Sequence, residues 1–277
     1  MARRGVATSD NRSLPTGSRA YHVPVLILLP PSQAQAAGKR GRRMDPDALS
    51  FPQLSPTRAQ ILADLMALSL RPDAHVALGL GPGVAGELAR NARIPLAPAL
   101  PVHRLYCGVL HRAFDYATLA PHDKRRAQRW VVVFSALYGA LRLADQVAPY
   151  RLAMTPGLPS RQPLARHWRE HLDRAIRPLV GERLVLDCRS AAYAAAWPVP
   201  SDLVGRVVSI NVPGATHYAK HTRGLIARAV CEMRLDPRSP ESLADSLAER
   251  FDLTLVRKGR PIGAVGLQVK PVPTGRR

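Results

Sequence analysis

WVVVFSALYGALRLADQVAPYRLAM, from Trp130 to Met154, is the stretch whose reading decides the fold. Its β-branched apolar run, Val131–Phe134, predicts a strand buried on both faces. Beyond the carboxyl end of that strand come Ser135, Tyr138, Gly139, Arg142, Asp145, Tyr150 and Arg151. Ligand sites of α/β sheets lie just past the carboxyl ends of strands. Hydroxyls, guanidiniums and a carboxylate among apolar residues are poor core filler unless each finds a partner. Two readings stay open: a ligand site, or a polar network that locks a tight turn.

Outward from this strand the chain alternates helical and extended patterns without a strict βαβ rhythm. Pro56–Leu70 predicts a helix, with Ser55 as N-cap, Pro56 at the first position and Ile61, Leu62, Leu65, Met66 and Leu68 as its apolar face. Val102–Phe114, Pro121–Arg129, Pro163–Ile176 and Tyr218–Arg234 read as further helices. Leu184–Asp187, Val204–Asn211, Leu253–Arg257 and Ala264–Lys270 read as strands. The expectation is an α+β (mixed α/β) fold: one domain over residues 22–270 with a mixed central sheet surrounded by helices. A basic extension over residues 1–21 and a short basic tail over 271–277 flank it, both expected to lack fixed structure. Gln35–Arg43 reads as a mobile basic loop.

A hydrophobic content of 46% is ample for a core of this size. No apolar run approaches the ~20 residues of a membrane span, so no membrane partner is expected. The net charge of +20 and a pI near 11.2 point to a polyanion. Only five of the forty basic residues are lysine, the mark of a GC-rich genome. Such drift explains Arg over Lys, but not forty bases against twenty acids.

The N-terminal arginines followed by VPVLILLP and SQAQA superficially copy an export signal. The apolar run is short, interrupted at Pro24 and closed by Pro30–Pro31, so it reads as the first core strand and the protein as cytoplasmic. Cys107, Cys188 and Cys231 are odd in number and set in apolar company. They read as reduced core thiols, not as a disulfide frame or zinc site. His167 and His171 share a helix face without a third ligand, so no metal is expected; Trp130, Trp168 and Trp197 read as core anchors. P-loop, H-E-x-x-H and G-x-S-x-G patterns are absent from the sequence, and no cofactor is implied.

Gly79–Leu88, GLGPGVAGEL, follows a helix and has the form G-h-G-x-x-x-A-x-x-h. It resembles the helix–hairpin–helix module of DNA-binding proteins that ignore sequence, here spanning residues 55–93. Gly79 and Gly81 permit a positive-φ hairpin, Pro82 suits the first helical turn, and Ala85 allows close helix approach. The second helix would then turn its free amides towards a phosphate. Gly83 stands where such hairpins often carry Lys, so charge must come from Arg71, Arg90 and Arg93. An ordinary glycine-rich helix connection fits the same pattern.

Four segments together resemble one family. SALYGALR-x-x-D-x-x-x-PYRL-x-M is similar to the signature of the YaaA family of bacterial peroxide-stress-resistance proteins. Leu28–Ser32 (LLPPS), Asp187–Trp197 (DCRSAAYAAAW) and His217–Arg228 (HYAKHTRGLIAR) resemble its other blocks in order and spacing. One departure stands out: relatives usually place an acidic residue and a lysine after the first turn, where this chain has Gln33, Ala34 and Gln35. The resemblance implies that Lys220 and Arg223, three apart on one helix face, converge with Ser32, Tyr106, Ser135, Tyr138, Arg142, Asp145, Tyr150, Arg151, Ser190 and Tyr193.

Such a pocket suits a phosphate or carboxylate. Lys220, if desolvated beside guanidiniums, is a candidate nucleophile or base. The resemblance therefore implies a double-stranded-DNA-binding protein of the peroxide stress response. The alternative is an enzyme acting on a nucleotide, nucleoside or damaged base through Lys220, Arg223, Tyr138, Arg142, Asp145 and Arg151.

Overall fold

The computed structural model of the chain describes residues 25–38, 40–81, 83–155, 158, 163–214, 216–233, 237–258 and 264–273. The expected N-terminal extension, Pro82 of the hairpin and the end of the tail lie outside the described residues. Nine strands and ten α-helices are described in chain order: β1 (Val25–Leu29), α1 (Ser55–Ser69), α2 (Ala74–Ala77), α3 (Ala85–Asn91), β2 (Leu100–Pro101), α4 (Val102–Leu105), α5 (Val109–Phe114), α6 (Pro121–Trp130), β3 (Val131–Ser135), β4 (Gly139–Leu141) and β5 (Gln146–Val147). Then follow α7 (Leu164–Val180), β6 (Leu184–Asp187), α8 (Ala191–Ala194), β7 (Val207–Asn211), α9 (Thr216–Glu232), α10 (Pro240–Ala248), β8 (Leu253–Lys258) and β9 (Ala264–Val269).

Seven strands form one mixed sheet in the order β4-β3-β1-β6-β7-β9-β8. The five central strands are parallel, and β4 and β8 run antiparallel at the two edges. Every residue of β1, β3 and β6 is buried, as expected of parallel strands covered by helices on both faces. A single contiguous apolar core joins the sheet to its helices, so the fold is one mixed α/β domain. Trp130, Trp168 and Trp197 are all buried in it.

From β1 the chain goes first to β3 on one side and later to β6 on the other. The carboxyl end of β1 is therefore a topological switch point, where diverging connections leave a crevice. The strand read from Val131–Phe134 is β3, in register with β1 through Ile27↔Val131 and Leu29↔Val133. Its hairpin to β4 needs Gly139 twice over. Gly139 has φ +71°, and an added Cβ would lie 2.6 Å from the Trp168 ring.

Several boundaries differ from the sequence expectation. The helix over Val102–Phe114 is two helices, α4 and α5. Between them Tyr106 is extended and bridges Gln35, and the Cys107 amide donates to the Ala34 carbonyl at 3.1 Å. The strand read over Val204–Asn211 begins at Val207, because Ser201–Arg206 closes as a 3₁₀ helix. Leu54 rather than Ser55 caps α1, since a 3₁₀ turn over Pro52–Leu54 runs directly into it. Gln35–Arg43 is tied down near both ends, by the Gln35–Tyr106 bridge and by an Arg43–Pro98 bridge. No described helix is long and apolar enough to cross a membrane.

Candidate anion-binding cleft

A cleft of about 530 Å³ opens beyond the carboxyl end of β1. Pro30–Ala34, leaving β1, form its floor, and Ser190 and Tyr193, following β6, form one wall. Gly108, the first turn of α5 as far as Arg112, Tyr150 and Leu152–Thr155 close it from the other side, and Lys220 and Arg223 enter from α9. Helices α5 and α9 pack where Gly224 lets the backbones approach. A Cβ there would lie 2.3 Å from the Leu110 carbonyl oxygen. That crossing fixes Arg112 on α5 and the α9 cations around one opening. Arg112, Lys220 and Arg223 all line the cleft, and none of the described lining residues is Asp or Glu.

Behind this lining lies a second, buried layer. The Tyr150 hydroxyl is 2.7 Å from Ser135 Oγ and 3.1 Å from the Tyr106 hydroxyl. Ser135 Oγ also accepts from the Tyr138 amide at 2.9 Å, and the Tyr138 ring meets Tyr150 edge-on at 5.4 Å. Burial pushes the Tyr106, Tyr138, Tyr150 and Tyr193 hydroxyls above the ordinary tyrosine range, so they act as neutral donors and acceptors. His111, on the cleft wall, bonds the Pro30 carbonyl through Nε2 at 3.0 Å. Burial lowers its pKa to about 4, so the ring is neutral at neutral pH.

The structure thus brings together Ser32, Tyr150, Ser190, Tyr193, Lys220 and Arg223 around the cleft, with Ser135, Tyr106 and Tyr138 one layer back. Arg142 and Asp145 do not converge with them. Strand β4 runs antiparallel to β3 and carries the chain back to the amino end of that strand. There Arg142 donates to the carbonyls of Arg129 and Val131 at 2.9 and 3.3 Å, and its guanidinium lies over Phe51. Asp145 accepts from the Arg142 amide at 2.8 Å and from Ser50, whose hydroxyl is 2.7 Å away. These two residues lock the turn between β4 and β5. Lys220 is exposed at the rim, without the burial that a nucleophilic lysine needs.

Arg151 sits between the cleft and α3. Asn91, fully buried, accepts from the Arg151 amide at 2.7 Å and donates to its carbonyl at 2.8 Å. Glu87 on the same helix pairs with the Arg151 guanidinium at 3.3 Å. Sequence reasoning passed over Asn91, Arg112 and His111, which carry no motif of their own. It also passed over the buried Arg58, which donates to the carbonyls of Tyr138, Ser50 and Ala140 at 2.7–2.9 Å.

The glycine-rich hairpin abuts this region. Gly79 and Leu80 line a recess of about 100 Å³ whose other residues include Gln33, Tyr150, Arg151 and Thr155. Gly79 and Gly83 have φ +62° and +86°, but Gly81 does not adopt positive φ. Ala85 is exposed rather than packed between helices, and α3 is only seven residues long. The expected roles of Gly81 and Ala85 are therefore corrected. Arg93 is exposed and Arg90 half-buried, while Arg71 is paired with Asp73 at 2.7 Å. Among the described residues no group of three His, Cys, Asp or Glu is placed to hold a metal.

Fold and site define a mixed α/β domain with an unbalanced cationic cleft at its topological switch point. A family profile described as peroxide stress protein YaaA matches residues 25–254, and the chain belongs to that family. It is 37% identical over 233 residues to a UPF0246 protein of Streptomyces coelicolor, covering 81% of this chain and 90% of the relative. A UPF0246 protein of Corynebacterium efficiens is 32% identical over 245 residues, covering 85% and 97%. One from Burkholderia mallei is 34% identical over 159 residues, covering 52% and 60%.

Proposed function

We propose that this member of the peroxide stress family binds DNA without sequence preference, along the basic surface that includes the cleft. The observation that carries the reading is the cleft lining: three cations with hydroxyls between them and, among the described lining residues, no carboxylate. Such a site meets phosphate by charge-assisted bonds and repels basic surfaces. The excess of twenty positive charges over the whole chain supports the same partner. Duplex DNA binding measured across salt concentrations tests it. The log–log slope should be about −0.9 for each phosphate neutralised, so affinity falls steeply with salt. A salt-independent affinity, or one confined to a single sequence, refutes it.

The Tyr106–Tyr150–Ser135 layer favours a second reading, an enzyme acting on a nucleotide, nucleoside or damaged base. Its hydroxyls form a hydrogen-bonded chain reaching the cleft wall at Tyr150. Hydrolysis of an N-glycosidic bond, however, needs a group that takes a proton from water at neutral pH. The cleft offers high-pKa hydroxyls and cations, and the carboxylate of the signature, Asp145, lies away from it, committed to the turn between β4 and β5. Binding is therefore the better-supported reading.

A further inference from the structure

We infer that the cleft receives a single unpaired nucleotide of the bound DNA strand, with its phosphate on the α5 and α9 cations. This rests on the DNA-binding reading and extends it from a surface to a pocket. Size is the first argument. At about 530 Å³ the cleft falls within the range of small-molecule pockets, about 300–1,000 Å³, which suits one nucleotide and excludes a stacked duplex.

Division of the lining is the second argument. Arg112, Lys220 and Arg223 gather at the α5–α9 opening, whereas Val109, Leu152 and Met154 supply apolar walls and Tyr193 an aromatic one. A phosphate uses the first group and an unstacked base the second. Inorganic phosphate has no use for the apolar walls, and a duplex backbone has no use for the depth. Ser32, Thr155 and Ser190 add short polar side chains that suit the edge of a base.

Continuity is the third argument. The recess beside Gly79 and Leu80 and the larger cleft share Gln33, Tyr150, Leu152, Ala153 and Thr155. A strand lying over the hairpin is thereby led into the cleft along one surface. Among the described residues Arg112 and Lys220 make no ion pair, so their charge is free for a phosphate. A nucleotide that is already unpaired, in a bulge or a gap, enters most easily because little stacking must be broken.

The experiment uses the full chain with two oligonucleotides carrying 2-aminopurine, one in a bulge and one in a matched duplex, and with free dAMP as competitor. Wild-type protein should change the fluorescence of the bulged probe and leave that of the matched duplex unaltered, while binding both. Free dAMP should suppress the signal. Arg112→Ala with Lys220→Ala should weaken bulge binding by about tenfold or more, the loss expected for a charge-assisted bond. Ala192 of α8 also lines the cleft, and Ala192→Trp, which fills the cleft while keeping its charge, should abolish the fluorescence change and spare duplex binding.

Binding of both DNAs with no change in 2-aminopurine overturns the inference and leaves the DNA-binding reading standing. So does a fluorescence change that survives Ala192→Trp in a folded protein. Capture of dAMP without binding of either DNA overturns both and assigns the cleft to a free nucleotide.

Discussion

Replacing Asn91 by Ala tests whether α3 holds the cleft wall in place. The Asn91 side chain is fully buried and makes reciprocal bonds of 2.7 and 2.8 Å with the amide and carbonyl of Arg151. Alanine removes both partners at once and leaves a peptide donor and acceptor without a protein partner. Each such group costs about 1–3 kcal/mol, so a loss of roughly 2–6 kcal/mol is expected. Asn91→Asp separates the two bonds. A carboxylate still accepts from the Arg151 amide, but it faces the Arg151 carbonyl with no proton to offer and lies near Glu87. It should therefore also destabilise. Urea unfolding followed by tryptophan fluorescence reads the effect as a fall in midpoint at unchanged slope. A loss below about 0.5 kcal/mol for Asn91→Ala, the level of an ordinary surface change, would refute the clamp.

The remaining predictions follow from single features. Gly83→Val forces a β-branched residue to φ +86° and should cost about 1–2 kcal/mol, whereas Gly81→Val, with no atom within 4 Å of its Cβ, should be nearly neutral; equal urea midpoints would count against this. His111 is neutral in the fold, with its pKa lowered from 6.5 to about 4, so the unfolded chain takes up its proton first as pH falls. Stability should be flat with respect to this group above about pH 6.5 and fall by up to roughly 3 kcal/mol towards pH 4. His111→Gln should lose that part of the slope, and an unchanged slope would show that the ring protonates in place. Burial pushes the Cys188 and Cys231 thiols up to about 12, so a thiol reagent should reach Cys107 well before either. Fast native labelling of Cys188 or Cys231 would contradict the burial.

The sheet was legible wherever a strand is buried on both faces, because continuous β-branched runs have few other uses. Leu184–Asp187 matches β6 residue for residue, and Val131–Phe134 covers β3 but for Ser135. Strands β4 and β5, three and two residues long, are too short to show a pattern, and the pairing of β4 comes from a turn. Helix α10 was missed although Ser239 and Ser242 form a reciprocal capping box, because the signal is Ser–Ser rather than the usual Ser–Glu. The break between α4 and α5 was invisible locally, as a long-range bridge to Gln35 imposes it. In the site, hydroxyls and α9 cations announced themselves, whereas Arg112, His111 and Asn91 matter only through what the fold places beside them.

One polar run serves both ends of β3, and this separates structural groups from those free to meet a ligand. After Ser135 the chain turns at Gly139, runs back along β3, and reaches its amino end at Arg142 and Asp145. Those two charges are satisfied by local carbonyls, by each other's backbone and by Ser50, so they leave nothing for a partner. The chain then returns along β5, paired with β2, and delivers Tyr150 and Arg151 to the carboxyl end. Here too one charge is already matched, because Glu87 takes Arg151. What remains unmatched at the switch point is Arg112, Lys220 and Arg223, the last partly engaged by the Ile210 carbonyl. An anion bound there adds pairing to Arg112 and Lys220, so it should stabilise the native state in proportion to its occupancy. The signature residues build one wall, while the unmatched positive charge at the opening comes from helices α5 and α9.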